Sequence, residues 1–322
     1  YVATGDDDAG DTSSVGVLKS IDGGLTWNTT GLNTTNSPSS MNDIYISPSD
    51  SNILWVATNN GVYKTIDGGT TWTNSNNTAG LNIKDIKLKP GNPNIIYAVT
   101  TSSFYASNNG GTSFGLSGSG LPASSSRLVL DVTPANPHAV FVLSADNSNE
   151  FQGLYKSVNS GSSFTSQSTK ATIGNLFGSS QTWFDMALAV SDTNENESYT
   201  GVLDINKSTN GGSSFSKINT WYSRDASYTH ADIHLLRFFN GTLFAGTDGG
   251  FFKSTDQGNN FSDLTTGMEI SQFYRISVSD KNSNKMAGGL QDNGGFGFSN
   301  NQWNNYHGGD GMDAAIDPNS DN

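Results

Sequence analysis

One eight-residue pattern recurs six times along this 322-residue chain, and it constrains the fold more than any other feature of the sequence. The pattern has Ser or Thr first, Asp or Asn third, Gly fifth and an aromatic residue last. Its copies are SIDGGLTW from Ser20, TIDGGTTW from Thr65, SNNGGTSF from Ser107, SVNSGSSF from Ser157, STNGGSSF from Ser208 and STDQGNNF from Ser254. Successive copies start 42 to 51 residues apart, which suits a unit of four short antiparallel strands. The sequence therefore predicts an all-β protein of repeated blades.

The residues around each motif predict four strands, A to D, from apolar alternation and turn signals. In the second repeat, strand A covers 43–47, strand B 53–58, strand C 62–65 and strand D 70–74. The motif then lies in the hairpin between strands C and D. There its Asp or Asn accepts hydrogen bonds from turn amides, and its Gly adopts a positive φ. The closing aromatic residue is expected to pack between neighbouring sheets.

Counting these strands predicts one seven-bladed β-propeller of four-stranded antiparallel blades over residues 1–322. Strand A recurs near residues 43, 84, 128, 184, 231, 273 and 312, and strand B near residues 1, 53, 95, 139, 199, 242 and 285. The chain opens on a B strand, YVATG, and stops on an A strand, AAIDPNSDN. The C-terminal A strand can therefore close onto the N-terminal B strand; the alternative is an open arc of a larger ring. Because the chain starts within a strand, we expect it to be a piece of a longer precursor.

Charge and composition exclude several classes of partner. The chain has 16 basic and 29 acidic residues, a net charge of -13, which disfavours nucleic acid and anionic lipid. No apolar run is long enough to span a bilayer. The chain has no cysteine, so disulfides and thiolate metal sites are excluded.

The six motifs resemble the Asp-box, or BNR, repeat of sialidases, tandem-propeller xyloglucanases and sortilin-type receptors. In those families the repeat lies on the propeller face away from the ligand. The ordered series HADIHLL, AGTDGGFFKS, FYRISVS, GGLQDNGG and GGDGMDAAIDP over residues 230–318 is similar to bacterial sortilin-type propellers. Many of these are labelled glycosyl hydrolases, and some reach the cell surface by type IX secretion. The resemblance implies a secreted or outer-surface protein, but the missing cysteines give no support for receptor-style sorting.

The loops of such a blade divide into two sets. The A-to-B turns are stereotyped, as in SPSDSN and KPGNPN, whereas the B-to-C and D-to-A loops vary in length and composition. Variable loops on a rigid scaffold are the usual position of binding sites. We therefore look for function on the face that carries the B-to-C and D-to-A loops.

An acidic B-to-C loop, GDDDAGDT, offers a candidate metal site. Its carboxylates repel one another unless a cation offsets their charge, and Ca²⁺ is the natural ion for a set of oxygen ligands. The alternative is a solvated acidic loop, and no other cofactor is required. The candidate ligands are Asp6, Asp7, Asp8 and Asp11.

Histidines cluster late in the chain. His230, Asp232 and His234 are spaced by two residues at the start of an A strand, which would place all three side chains on one face. Two imidazoles and a carboxylate suit a metal; the alternative is hydrogen bonding to the next blade. Gln291 and His307 complete this set of predicted ligand-binding polar groups.

Three aspartates are candidate catalytic residues. Asp248 and Asp292 end neighbouring B strands, and Asp310 lies in an adjacent D-to-A loop. Two carboxylates at a suitable separation are what glycoside hydrolysis requires. The strings TDGG and QDNGG also resemble the catalytic Asp context of tandem-propeller xyloglucanases, although that family uses a cleft between two propellers.

Aromatic residues complete the predicted binding face. They are Trp183, Trp221, Tyr222, Tyr228, Trp303 and Tyr306. Exposed rings stack on sugar faces and anchor peptides, and segment 220–228, TWYSRDASY, is the predicted platform. A sialidase also needs an arginine cluster, which the four arginines of this chain, at 127, 224, 237 and 275, do not suggest.

These observations predict an extracellular module that binds a glycan or a protein partner, with other domains or subunits of a surface assembly as possible neighbours. A glycoside hydrolase with paired Asp carboxylates is the first alternative. A structural spacer in a large surface protein is the second.

Overall fold

The computed structural model describes residues 1–5, 12–268 and 271–317, and these residues form 27 strands and one four-residue helix. The strands form seven antiparallel sheets in chain order. This confirms the predicted all-β fold of repeated blades. No described helix is long and apolar enough to cross a membrane.

The first four sheets occupy the N-terminal half of the chain. Sheet 1 contains β1 (Val2–Ala3), β2 (Gly16–Lys19) and β3 (Asn28–Asn33). Sheet 2 contains β4 (Met41–Ile46), β5 (Leu54–Thr58), β6 (Gly61–Thr65) and β7 (Thr73–Asn74). Sheet 3 contains β8 (Asp85–Leu88), β9 (Ile96–Val99), β10 (Phe104–Ser107) and β11 (Gly115–Ser117). Sheet 4 contains β12 (Arg127–Thr133), β13 (Asn136–Ala145), β14 (Phe151–Ser157) and β15 (Thr165–Thr169), and α1 (Lys170–Ile173) follows it.

The remaining three sheets repeat the same order of strands. Sheet 5 contains β16 (Ala187–Val190), β17 (Ser198–Gly201), β18 (Ile205–Ser208) and β19 (Ser216–Lys217). Sheet 6 contains β20 (Ile233–Phe239), β21 (Thr242–Thr247), β22 (Gly250–Ser254) and β23 (Ser262–Asp263). Sheet 7 contains β24 (Phe273–Val278), β25 (Met286–Leu290), β26 (Gly294–Ser299) and β27 (Gln302–His307).

The chain divides into two compact units. The first contains residues 1–248 and 252–262, and the second contains residues 249–251 and everything from 263 onwards. Within the first unit, the leading strands β4, β8, β12, β16 and β20 contact one another in succession. They are the inner strands of their sheets.

A sheet that lies between two other sheets is buried on both faces, and sheet 2 is an example. Every residue of β5 is buried. Trp55 and Ala57 pack against residues of sheet 3, whereas Val56 packs against residues of sheet 1. Alternation along the strand therefore sends side chains into two neighbouring cores instead of into one core and solvent.

The six motifs occupy the hairpins between the last two strands of sheets 1 to 6. In the second motif the Thr65 hydroxyl accepts a hydrogen bond from the Gly69 amide at 3.0 Å, and Asp67 accepts one from the Thr71 amide at 2.9 Å. The closing aromatic residue packs on the preceding sheet, as Phe114 does beside Trp55. Trp27, which closes the first motif, is 43% exposed.

Buried carboxylates connect successive inner strands. Asp85 of β8 accepts a hydrogen bond from the Leu130 amide of β12 at 2.8 Å. Asp131 of β12 accepts one from the Val190 amide of β16 at 2.7 Å. Each bond joins one sheet to the next, so the inner strands are held by polar contacts as well as by packing.

The A strand predicted near residue 312 is wrong. Residues 311–317 belong to no strand, because Gly309 and Met312 have positive φ angles of 73° and 48° that turn the backbone away from the extended region. The Gly311 amide donates to the Leu290 carbonyl at 2.9 Å instead. Sheet 1 has three strands within the described residues, and closure by the C-terminal segment stays a prediction, as does a single domain over 1–322.

Candidate functional site

A histidine and an aspartate pair at one end of sheet 6. Asp248 directly follows β21, and His234 lies near the start of β20. The pairing of β20 with β21 shifts register between Ile233 and Leu235, which takes His234 out of the regular ladder. As a result, His234 Nε2 lies 2.7 Å from Asp248 Oδ1.

Two further residues, Asp232 and Gln181, extend this pair. Asp232 contacts Asp248 through its backbone, and Gln181 contacts Asp232 through its side chain. The Asp248 amide donates to the Asp232 carbonyl at 3.2 Å. Gln181 Nε2 donates to Asp232 Oδ1 at 2.6 Å. Because β20 begins only at Ile233 and Asp232 has a φ of 61°, the predicted strand alternation of His230, Asp232 and His234 is wrong.

His230 therefore takes a different position from the one expected. Its Nδ1 lies 3.2 Å from the Ala231 carbonyl oxygen, a contact with its own neighbour in the chain. The side-chain contacts of the site therefore involve His234, which meets Asp248, and Asp232, which meets Gln181.

Asp185 is a buried acid that the sequence analysis did not identify. It has no exposed surface, and its Oδ2 lies 3.5 Å from the same Gln181 nitrogen that binds Asp232. Burial, and then the nearby carboxylate of Asp232, raise the pKa of Asp185 to about 7. The only sequence signal was an Asp placed directly before the apolar segment MALAV.

An exposed tryptophan adjoins the polar cluster. Trp183 is 53% exposed, and its ring centroid lies 5.5 Å from that of Phe184. Phe184 in turn meets the His234 ring edge-to-face at 4.8 Å. A guanidinium nitrogen of Arg127 donates to the carbonyls of Trp183 and Phe184 at 2.9 and 3.0 Å, which fixes the backbone of this segment. We call Gln181, Trp183, Asp232, His234 and Asp248 the Trp183 site.

The predicted platform of residues 220–228 lies elsewhere in the first unit. Trp221 and Tyr222 are 45% and 70% exposed, with ring centroids 5.7 Å apart. However, the Phe261 amide of the sixth motif donates to the Ala226 carbonyl at 2.8 Å, so the segment lies against a motif hairpin. Tyr228 packs on the core beside Phe252.

The second unit brings together two of the predicted catalytic residues. Asp310 accepts a hydrogen bond from the Asp292 amide at 3.0 Å, and the Tyr274 hydroxyl lies 3.5 Å from the same carboxylate oxygen. Gln291 and His307 are exposed in this unit. His307 ends β27 and pairs with Gly295 in sheet 7.

The predicted calcium ligands Asp6, Asp7, Asp8 and Asp11 lie outside the described residues. Calcium binding by this loop therefore stays a prediction.

No protein-family model matches the chain, and no curated protein matches it. Several solved structures do match the chain. A GH74 enzyme from Niastella koreensis has a TM-score of 0.57 and 15% identity over 96% of this chain and 58% of its own. An ancestral GH74 enzyme has a TM-score of 0.51 and 19% identity over 82% of this chain and 38% of its own. A catalytically inactive virginiamycin B lyase from Staphylococcus aureus with quinupristin has a TM-score of 0.51 and 13% identity, covering 86% and 84%.

These similarities identify the fold class, a β-propeller of antiparallel blades, and nothing more specific. Enzymes of different chemistry share the fold, so it does not determine a reaction. The chain also spans only 38% and 58% of the two GH74 enzymes.

Proposed function

We propose that this β-propeller module binds a carbohydrate at the Trp183 site. The observation that carries the proposal is the exposed Trp183 ring beside a compact group of hydrogen-bonding side chains. Sugars offer a flat apolar face and a rim of hydroxyls, so they bind to an aromatic surface next to donors and acceptors. Gln181, Asp232, His234 and Asp248 supply both kinds of hydrogen-bonding group.

The site is also rigid enough to select a ligand. Arg127 holds the backbone of the Trp183 segment, and Gln181 fixes the Asp232 carboxylate. Groups that are already ordered lose little conformational entropy when a ligand binds. A protein loop would in principle use the same groups, but the small exposed area of one indole ring suits a sugar better.

We place the module in a secreted or cell-surface protein of the Asp-box type. Six hairpins with the same Ser or Thr and Asp or Asn hydrogen bonds support that assignment. The resemblance to bacterial sortilin-type propellers supports the location. Further domains or subunits would then present the module to its ligand.

Titration calorimetry with a panel of neutral and acidic oligosaccharides tests the proposal. Trp183→Ala should weaken binding at least about tenfold, as expected for an aromatic anchor. Trp27→Ala is the matched control, because Trp27 is similarly exposed but belongs to the first motif. Trp221→Ala tests the platform of residues 220–228. If Trp221→Ala abolishes binding and Trp183→Ala does not, the site is wrong.

Glycoside hydrolysis is the second candidate function. It is favoured by the hydrogen bond from the Asp292 main-chain amide to the Asp310 carboxylate, which brings these two residues together, and by the similarity to the two GH74 enzymes described above. A hydrolase would release reducing ends from a glycan, and Asp248→Asn, Asp292→Asn or Asp310→Asn would abolish that release. Asp280→Asn, in an exposed turn, is the control. Saturable binding without product would support the binding module. If there is neither binding nor product, the structural spacer is the function that remains.

A further inference from the structure

The inner strands of the first unit line an open polar cavity of ≈ 260 Å³ next to the Trp183 site. His234 belongs to both, since its ring lines the cavity and its Nε2 contacts Asp248. Three carboxylates line the cavity, those of Asp43, Asp85 and Asp131. Four basic side chains line it as well, those of Lys84, Lys87, Arg127 and Arg237. The whole chain has 16 basic and 29 acidic residues, so the balance of charged residues in the cavity is opposite to that of the chain.

The carboxylates of the cavity are already bound within the protein. Lys87 Nζ contacts Asp85 and lies 3.1 Å from Asp43 Oδ2. Although burial opposes it, these two carboxylates raise the pKa of Lys87 above its usual range. Asp131 accepts the Val190 amide, and burial raises the pKa of Asp131 to about 6. This carboxyl therefore takes up a proton at a higher pH than an ordinary aspartate does.

Arg237 is the group in this cavity that is ready for a ligand. Its guanidinium carbon lies 4.8 Å from the centre of the Tyr45 ring, so the planar group rests on an aromatic surface. The residue is exposed, and within the described part of the chain no carboxylate or other hydrogen-bond acceptor contacts its guanidinium. A stacked guanidinium presents its N–H edge to the side, in the fork geometry that matches a carboxylate.

We infer that the cavity binds the carboxylate of an acidic sugar, with Arg237 as the residue that recognises it. The inference rests on the proposed carbohydrate binding and names the ligand class: a glycan that carries a uronate. The neutral part of the sugar chain lies on the Trp183 site, and the uronate enters the cavity past His234. Arg237 then makes a bidentate ion pair with the carboxylate on the surface of Tyr45.

The net charge of the protein narrows the ligand further. A polyuronate carries one charge on every sugar and is repelled by a protein of net charge -13. A neutral chain with a single uronate branch avoids most of that repulsion and still satisfies Arg237. We therefore expect an isolated glucuronate on a neutral backbone, as in a glucuronate-substituted xylo-oligosaccharide.

Three matched oligosaccharides test the inference by titration calorimetry. They are a xylo-oligosaccharide with one glucuronate, the methyl ester of that glucuronate, and the unsubstituted chain. The acid should bind about tenfold or more tightly than its ester, because the ester loses a charge-assisted hydrogen-bonded pair. The preference should decline with added salt. Equal affinity for acid and ester would overturn the inference while leaving the proposed carbohydrate binding intact.

Two variants and a control assign the effect to Arg237. Arg237→Gln should remove the preference for the acid, and Arg237→Lys should restore only part of it, because a lysine lacks the planar fork. Arg224→Gln is the matched control: Arg224 also stacks on a tyrosine, 4.9 Å from the Tyr228 ring, but does not line the cavity. If Arg237→Gln binds the acid like Arg224→Gln, Arg237 does not recognise the carboxylate. Absence of binding by all three sugars would overturn this inference together with the proposed function.

Discussion

Carboxylates of the motif hairpins and carboxylates near the inner strands are perturbed in opposite directions. The Thr71 hydroxyl and amide, with the Thr65 hydroxyl, lower the pKa of Asp67 to about 2. Burial, and then Asp232, raise the pKa of Asp185 to about 7. The same residue type is thus stabilised as an anion in a turn and favoured as a neutral acid in the interior. Turn carboxylates serve the fold, whereas the interior ones are those that respond to pH near neutrality.

The largest expected effect is a pH dependence of stability between about pH 4 and pH 7. Asp131 and Asp185 have pKa values of about 6 and 7 in the folded protein, above the ordinary value of 3.8. The folded state therefore binds more protons than the unfolded state in this range. The stability that they contribute is present at low pH and is lost as the pH rises through their folded pKa values.

Thermal melts from pH 8 to pH 5 measure this dependence. The melting temperature should rise by several degrees as the pH falls, and Asp185→Asn should flatten part of the slope. Asp256→Asn is the control, since hydrogen bonds from Asn260 lower the pKa of Asp256 to about 2 and place its dependence below pH 4. A slope that is the same in both variants would contradict the contrast between the two kinds of carboxylate.

A smaller loss is expected when a motif loses its first residue. The buried Ser157 hydroxyl accepts the Gly161 amide at 2.9 Å and donates to Asn159 at 2.8 Å. Ser157→Ala should lower the free energy of unfolding by about 1–3 kcal/mol, because it leaves a buried amide without a partner. Denaturant titration measures the change, and Ser163→Ala at the exposed end of the same hairpin should cost less. Sugar binding should not change in either variant.

Removal of calcium should have a further, conditional effect on stability. If Asp6, Asp7, Asp8 and Asp11 bind Ca²⁺ in the folded state only, chelation lowers the melting temperature by mass action. Melts with and without EDTA, repeated after Asp7→Asn and Asp8→Asn, measure the effect. An unchanged melt with EDTA argues for a solvated loop instead.

The smallest effect is expected from Asp67→Asn at neutral pH. Asn109 fills the same position in the third motif, accepting the Ser113 amide at 3.0 Å and donating to the Ser113 hydroxyl at 2.9 Å. Asn is therefore compatible with the turn, and we expect no measurable change in the free energy of unfolding at pH 7. Denaturant titration at pH 7 and at pH 3 should show a clear difference between the proteins only at the lower pH.

The repeat predicted the fold because its signals are local. Motif spacing and alternation located six of the seven predicted A strands, and each depends on residues close together in the sequence. The strand near 312 was wrong because the alternation of apolar residues does not indicate the positive φ of Met312. Neighbouring sheets are built by the same local rules, so one correct unit predicts the others.

The candidate site was only partly predictable. His234 and Asp248 were chosen separately, but their contact depends on a register shift in sheet 6 that no pattern indicated. Gln181 was missed because its partner Asp232 lies 51 residues further along the chain. Asp185 was missed because the carboxylate that helps to raise its pKa belongs to the same distant residue. His230 was misplaced because the strand starts later than the alternation suggested.

The carboxylates that join one inner strand to the next also affect how the first unit unfolds. When the sheet that carries Asp85 detaches, the Leu130 amide of the following sheet loses its acceptor, and the same holds for Asp131 and the Val190 amide. Opening one blade therefore penalises its neighbour as well as itself. The blades should melt in concert, and a calorimeter should record one transition for them where independent repeats would give several.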